Sequence, residues 1–135
     1  MINRYSALLL TVLALFFLTA CGGSVGEVPD LDGTEWGLVE MNGETIPDDV
    51  EINIAFGEGQ ISGQSACNRY FAGYTQDGTK LTFDQVGSSQ MYCEGLMDYE
   101  TEYLQSLAEV KGFELSGDNL KFLDQGGQAI LVFSK

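Results

Sequence analysis

The chain has 135 residues, with six Lys and Arg, twenty Asp and Glu, no histidine and a net charge of −14. That length allows one small core and excludes two ordinary domains, and the acidic balance disfavours nucleic acid and anionic lipid surfaces as partners. Without histidine there is no Ser-His-Asp or Cys-His catalysis, and no histidine-based transition-metal site.

The start of the chain reads as an export signal over residues 1–20. In "MINRYSALLLTVLALFFLTAC", Arg4 precedes an apolar stretch from Ala7 to Leu18, and small residues lead to Cys21. The stretch is short for a permanent membrane-spanning helix. Leu18-Thr19-Ala20-Cys21 resembles the bacterial lipobox. That resemblance implies cleavage before Cys21, a diacylglycerol on its sulfur and an acyl group such as palmitate on its amine. An ordinary secretory signal that happens to end in cysteine, or an uncleaved anchor helix, is the alternative. Two or three acyl chains anchor a protein stably, since each buried methylene contributes about 0.8 kcal/mol. Once Arg4 has left with the signal, five bases face twenty acids, a net charge of −15. These acids are dispersed among apolar residues, as on a solvated surface.

Residues 21–30, "CGGSVGEVPD", are rich in Gly, Ser and acid and read as a flexible tether. It would hold the domain on the order of 17 Å from the anchor. The folded domain is expected over 31–135. "EWGLVEM" alternates and ends at Asn42-Gly43; "VEINIAF" alternates up to "GEG" and is answered by "QISGQSA", a strong hairpin signal. "YFAGYTQ" and "KLTFDQV" flank Asp77-Gly78. "GFELSGDNLKFLDQGGQAILVFSK" reads as three strands with turns at Gly117-Asp118 and Gly126-Gly127. Seventeen glycines and two prolines suit an antiparallel sheet with tight corners.

One segment changes period. In "EGLMDYETEYLQSLAEV", Leu96, Tyr99, Tyr103, Leu104, Leu107 and Val110 recur at three and four, which predicts one amphipathic helix lying across the sheet. Glu100 falls near the middle of its apolar face. A buried carboxylate requires partners, unless the helix rolls far enough for Glu100 to reach water.

"LDGTEWGLVEMNG", "ISGQSACNRYFAGY", "SSQMYC" and "MDYETEYLQSL" together resemble the successive signatures of the META domain family, the HslJ-like proteins, over Leu31 to Phe133. Two departures stand out. Ala66 occupies the position where the family typically has Gly, and Ser89-Gln90 replaces the usual Thr-Arg. The resemblance implies an α+β, mainly antiparallel, compact barrel-like sheet of about seven or eight strands with one packed α-helix. It also implies an exported or membrane-tethered protein without established catalytic activity, of a kind associated with heat shock, antibiotic tolerance and secretion.

Three sets of site residues follow. Cys21 is the expected lipidation site. Cys67 and Cys93 remain as an even pair in an oxidising compartment, so a disulfide is expected, with two inert thiols or a redox pair as alternatives. Closing their loop would contribute roughly 3 kcal/mol. Without further soft ligands they cannot form a structural zinc site, and Asp30 to Gly33 lacks the spaced oxygens of a calcium loop. Asn68, Arg69 and Glu100 form an expected polar lock between helix and sheet, Glu100 accepting from Asn68, from loop amides or from Arg69. No catalytic residue, metal or cofactor is expected.

The aromatics Trp36, Phe56, Tyr70, Phe71, Tyr74, Phe83, Phe113, Phe122 and Phe133 are expected to fill a core. The functional expectation is a non-enzymatic, lipid-anchored envelope protein with a protein partner and no nucleic acid. It would face the periplasm from the outer membrane in a Gram-negative cell, since Gly22 is not the inner-membrane retention Asp. The alternative is a lipocalin-like carrier or sensor of a small apolar ligand.

Overall fold

The computed structural model describes residues 26–135. The signal segment and the expected lipidation site Cys21 lie outside the described residues. Where the chain alternates apolar and polar residues it forms strands, and ten are present among the described residues: β1 Glu35–Met41, β2 Glu44–Thr45, β3 Asn53–Gly57, β4 Gln60–Gln64, β5 Arg69–Asp77, β6 Lys80–Phe83, β7 Gly87–Ser88, β8 Gly112–Ser116, β9 Asn119–Leu123 and β10 Ala129–Ser134. A single helix among the described residues, α1, spans Met97–Glu109.

Every pairing is antiparallel. The strands run in the order β1-β3-β4-β5-β6-β8-β9-β10, and β10 pairs back with β1, so eight strands close into a barrel. The two-residue strands β2 and β7 attach to β1 and β5. Register shifts between Leu38 and Glu40 in β1 and between Ala129 and Leu131 in β10 lie on either side of the closure. Such bulges bend a strand and sharpen its twist, as closure requires. The β3–β4 hairpin turns on Glu58 and Gly59 at φ 55° and 75°. Two consecutive left-handed residues are the signature of a two-residue type I′ turn.

The alternating inward residues fill the barrel rather than leave a lumen. Phe122 packs on Phe133 at 4.8 Å and on Phe83 at 5.5 Å between ring centroids, and Phe56 meets Tyr74 edge-on at 5.1 Å. Leu31 is fully buried, so the core begins there. Phe71, expected in the core, is instead 62% exposed. It lies on β5 between Tyr70 and Ala72, which point inward, so strand alternation turns it out.

The helix does not lie across the face of the sheet. It closes the end of the barrel where β1 finishes and β5 begins. Asn42 just after β1 donates to Glu102 at 2.7 Å, and the β4–β5 turn bonds Glu100. Glu100, Tyr103, Ser106 and Leu107 form its buried face, three to four residues apart. Tyr103 places its hydroxyl 2.7 Å from that of Tyr70, which in turn donates to the carbonyl of Asn53 at 2.8 Å.

Candidate functional site

The β4–β5 turn, Ser65-Ala66-Cys67-Asn68, sits beneath the first turn of α1. Its backbone closes through the Ser65 N–H donating to the Asn68 carbonyl at 2.8 Å, with Ala66 at φ 78°. The turn therefore aims Ser65 and Asn68 at Glu100, whose side chain is 5% exposed. Glu100 Oε1 accepts from the Ser65 hydroxyl at 2.5 Å and from the Asn68 backbone N–H at 2.9 Å; Oε2 accepts from Asn68 Nδ2 at 2.8 Å. All three partners are neutral donors, so this buried carboxylate is held by hydrogen bonds without an ion pair.

Asn68 has a second set of contacts on the other side. Nδ2 also donates to the Met91 carbonyl at 3.0 Å, while Oδ1 accepts from the Met91 N–H at 2.7 Å and the Ser89 hydroxyl at 3.0 Å. An Asn side chain offers two donor hydrogens and two acceptor lone pairs, and here all four are used. Since both donors face oxygens and both lone pairs face donors, the amide is fixed in one orientation. Asn68 thus pairs with Met91 as a neighbouring strand would, and joins helix, turn and the loop after β7 through one side chain.

The disulfide fastens the same loop. Cys67 and Cys93 are bonded, with Cα atoms 5.7 Å apart and a sequence separation of 26. Residues 89–93 are thereby held at both ends by covalent and polar bonds, which leaves their apolar side chains free of any bracing duty. Met91 is 58% and Tyr92 80% exposed. Among the described residues Tyr92 is the most exposed large apolar side chain, followed by Phe71 and then Met91; Phe71 lies on β5 against β7, its ring packed over Gly87.

Arg69, expected in the polar lock, is not part of it. Its side chain is exposed on the outer face of β5, and it contributes to the loop only through its carbonyl, which accepts from the Ser89 N–H at 3.1 Å. Strand alternation explains this, because Tyr70 on β5 faces the interior and its neighbour Arg69 must face out. The guanidinium instead borders a shallow cleft on the outer sheet face with Glu35, Asn53 and Lys135. Ser65 was not legible as a lock residue: only the turn geometry brings it to Glu100.

Burial holds the phenols of Tyr70 and Tyr103 well above the usual tyrosine range, and the mutual hydrogen bond leaves neither hydroxyl open to water. A groove of about 600 Å³ separates α1 from the β6–β7 connection, with Phe83, Val86, Leu104 and Ala108 as its apolar walls. Among the described residues there is no cluster of three or more acidic, Cys or His side chains able to hold a metal ion, and no helix long and apolar enough to cross a membrane.

The META domain family model matches residues 29–135. Among solved structures, an NMR structure of a protein from Burkholderia xenovorans is 26% identical at a TM-score of 0.63, covering 77% of this chain and 82% of that one. A second NMR structure is 25% identical at 0.62, covering 77% and 90%. The crystal structure of a DUF4847 family protein from Bacteroides vulgatus is 16% identical at 0.57, covering 77% and 93%, a likeness of fold alone. No curated protein matches the chain.

Proposed function

Because the chain belongs to the META domain family, we propose that it is a non-enzymatic binding module of the bacterial envelope, tethered by lipid on Cys21 and acting by holding a protein partner. The observation that carries this reading is the Met91–Tyr92 loop. A disulfide and the two hydrogen bonds between the Asn68 side chain and the Met91 backbone brace it, while Tyr92 stands 80% exposed. Large aromatic side chains left in water on a rigid frame lose little conformational entropy on binding and are the usual anchors of protein interfaces. The setting we assign, in envelope stress, antibiotic tolerance or secretion, comes from the family resemblance.

Replacement of Met91 and Tyr92 by Ala in the exported chain is the test. The melting temperature should stay within about 2 °C of the parent, as surface changes rarely exceed about 0.5 kcal/mol, while the envelope complexes containing the chain are lost. Retention of those complexes by the double variant would remove the reading. Intact mass of the exported chain tests the anchor: it should begin at Cys21 and carry the diacylglyceryl adduct.

A second reading, a carrier of a small apolar ligand, draws support from the groove between α1 and the β6–β7 connection. Native mass spectrometry of the exported chain distinguishes the two, since a carrier retains its ligand.

A further inference from the structure

We infer that the Met91–Tyr92 loop docks a basic protein surface on the side of the molecule facing away from the membrane, and does not insert into lipid. The inference rests on the protein-binding reading above and adds where the partner stands and what chemistry it presents.

Position comes first. The described chain joins the fold at the far end of the barrel from the loop. Gln76 near the end of β5 donates to the Pro29 carbonyl at 2.8 Å and accepts from the Leu31 N–H at 3.2 Å. The Asp32 N-terminal stretch is likewise held against Tyr74 through the Tyr74 hydroxyl. Asn68, which grips Met91, precedes the other end of the same strand. Eight residues of extended chain separate Asn68 from Gln76, about 26 Å at about 3.3 Å per residue. The N-terminal segment therefore meets the fold near one end of β5, and the loop that carries Tyr92 is held near the other.

Charge comes second. The exposed side chains that follow Tyr92 toward and along the open face of α1 include Glu94, Asp98 and Glu102, and Arg69 is the base nearest the loop in the chain's pairing. A lipid-inserting loop sets its aromatics among Lys and Arg, because bacterial membrane surfaces are anionic. Here Tyr92 is followed in the chain by the exposed Glu94 and Asp98, and no Lys or Arg occurs between Lys80 and Lys111. The complementary surface is an apolar pocket that takes Tyr92, bordered by Lys or Arg that meet Glu94 and Asp98.

The experiment places the photo-crosslinking residue p-benzoylphenylalanine at Tyr92, and in a second strain at Thr79 on the opposite β5–β6 hairpin, in the full-length chain in intact cells. Tyr92 should yield a protein adduct that Thr79 does not. The captured protein, once identified and purified, should bind the intact chain in a salt-sensitive manner. Tyr92→Ala should weaken that binding about tenfold or more, as loss of an aromatic anchor does; Glu94→Gln with Asp98→Asn should slow association several-fold. The Tyr92→Ala chain should melt with the parent, which separates lost docking from lost folding.

Phospholipid adducts at Tyr92 would overturn the inference, as would binding indifferent to salt and to the two charge replacements. Protein adducts at Thr79 alone would overturn it while leaving a protein-binding module in place. Adducts at neither position would overturn both readings.

Discussion

Asn68→Asp is the sharpest probe of the polar lock, because it changes one nitrogen to oxygen and inverts two hydrogen bonds. Nδ2 now donates to Glu100 Oε2 at 2.8 Å and to the Met91 carbonyl at 3.0 Å. An aspartate would set a second carboxylate against Glu100 and leave the Met91 carbonyl without its donor. Two lost hydrogen bonds, one to the buried Glu100 carboxylate and one to the part-buried Met91 carbonyl, cost about 1–3 kcal/mol each. Two like charges about 4 Å apart add about 4 kcal/mol at an effective dielectric near 20. The sum, roughly 6–10 kcal/mol, rivals the whole stability of a small domain, about 5–15 kcal/mol. At pH 7 the variant should be unfolded or close to it.

Acid should rescue it. In the folded variant the adjacent carboxyls share a proton that each releases readily in the unfolded chain, so the folded state binds more protons and gains stability as the pH falls toward the ordinary carboxylate range. Asn68→Ala is the control, losing the Oδ1 hydrogen bonds as well as those of Nδ2 but adding no charge. Urea unfolding followed by circular dichroism between pH 4 and 8 reads all three chains. If Asp is no worse than Ala at pH 7, or fails to recover relative to the parent on acidification, Glu100 is not the buried, hydrogen-bonded carboxylate described here.

Three further outcomes are expected. Cys67→Ser with Cys93→Ser should lower stability by about 3 kcal/mol, for a closed loop of about 26 residues, and speed amide exchange at Met91 while leaving the barrel strands protected. Alkaline titration followed at 295 nm should show two of the tyrosines, Tyr70 and Tyr103, ionising only as the fold is lost. Their protonated forms are favoured in the folded state, so stability is full below the ordinary phenol value near 10 and declines as the pH rises above it. Glu58→Asn should raise stability by about 0.5–1 kcal/mol in a denaturant melt, since Asn tolerates the left-handed conformation of this type I′ turn better than Glu.

The barrel was largely legible because its information is local. Alternation and Gly-containing turns mark the strands from "EWGLVEM" to "AILVFSK", and the change to a period of three and four marks α1. The short strands β2 and β7 carry too few residues to show a period, and only long-range pairing defines them. The lock was legible in part. Glu100 announces itself as a carboxylate on an apolar face, but Ser65 lies 35 residues from it and depends on a turn whose shape no pattern encodes. Arg69 was misplaced for the opposite reason: its chemistry suits Glu100, and the two-residue period of β5 turns it outward regardless. The same period exposes Phe71. The placement of α1 over the barrel end could not be read from its own amphipathicity, which fixes a buried face and not the surface it meets.

Ala66 joins the legible to the illegible. Its departure from the family's Gly is visible in the sequence, and its φ of 78° shows what that Gly is for. A left-handed L-residue costs about 1–2 kcal/mol. Restoring Gly removes that strain, but it loosens the unfolded chain by about 0.4–1 kcal/mol and strips out a methyl worth about 0.8 kcal/mol from a residue that is buried here. The terms nearly cancel, so Ala66→Gly should move stability by less than about 1 kcal/mol in either direction. Ala66→Val has no such offset: a β-branched side chain at positive φ adds backbone strain where Ser65 and Asn68 must keep their aim, and should destabilise by about 2 kcal/mol or more. Paired urea melts of the two variants read both effects. A large shift for Gly, or none for Val, would mean that the turn does not hold Ala66 in the left-handed region, and that Ser65 and Asn68 reach Glu100 from a different backbone.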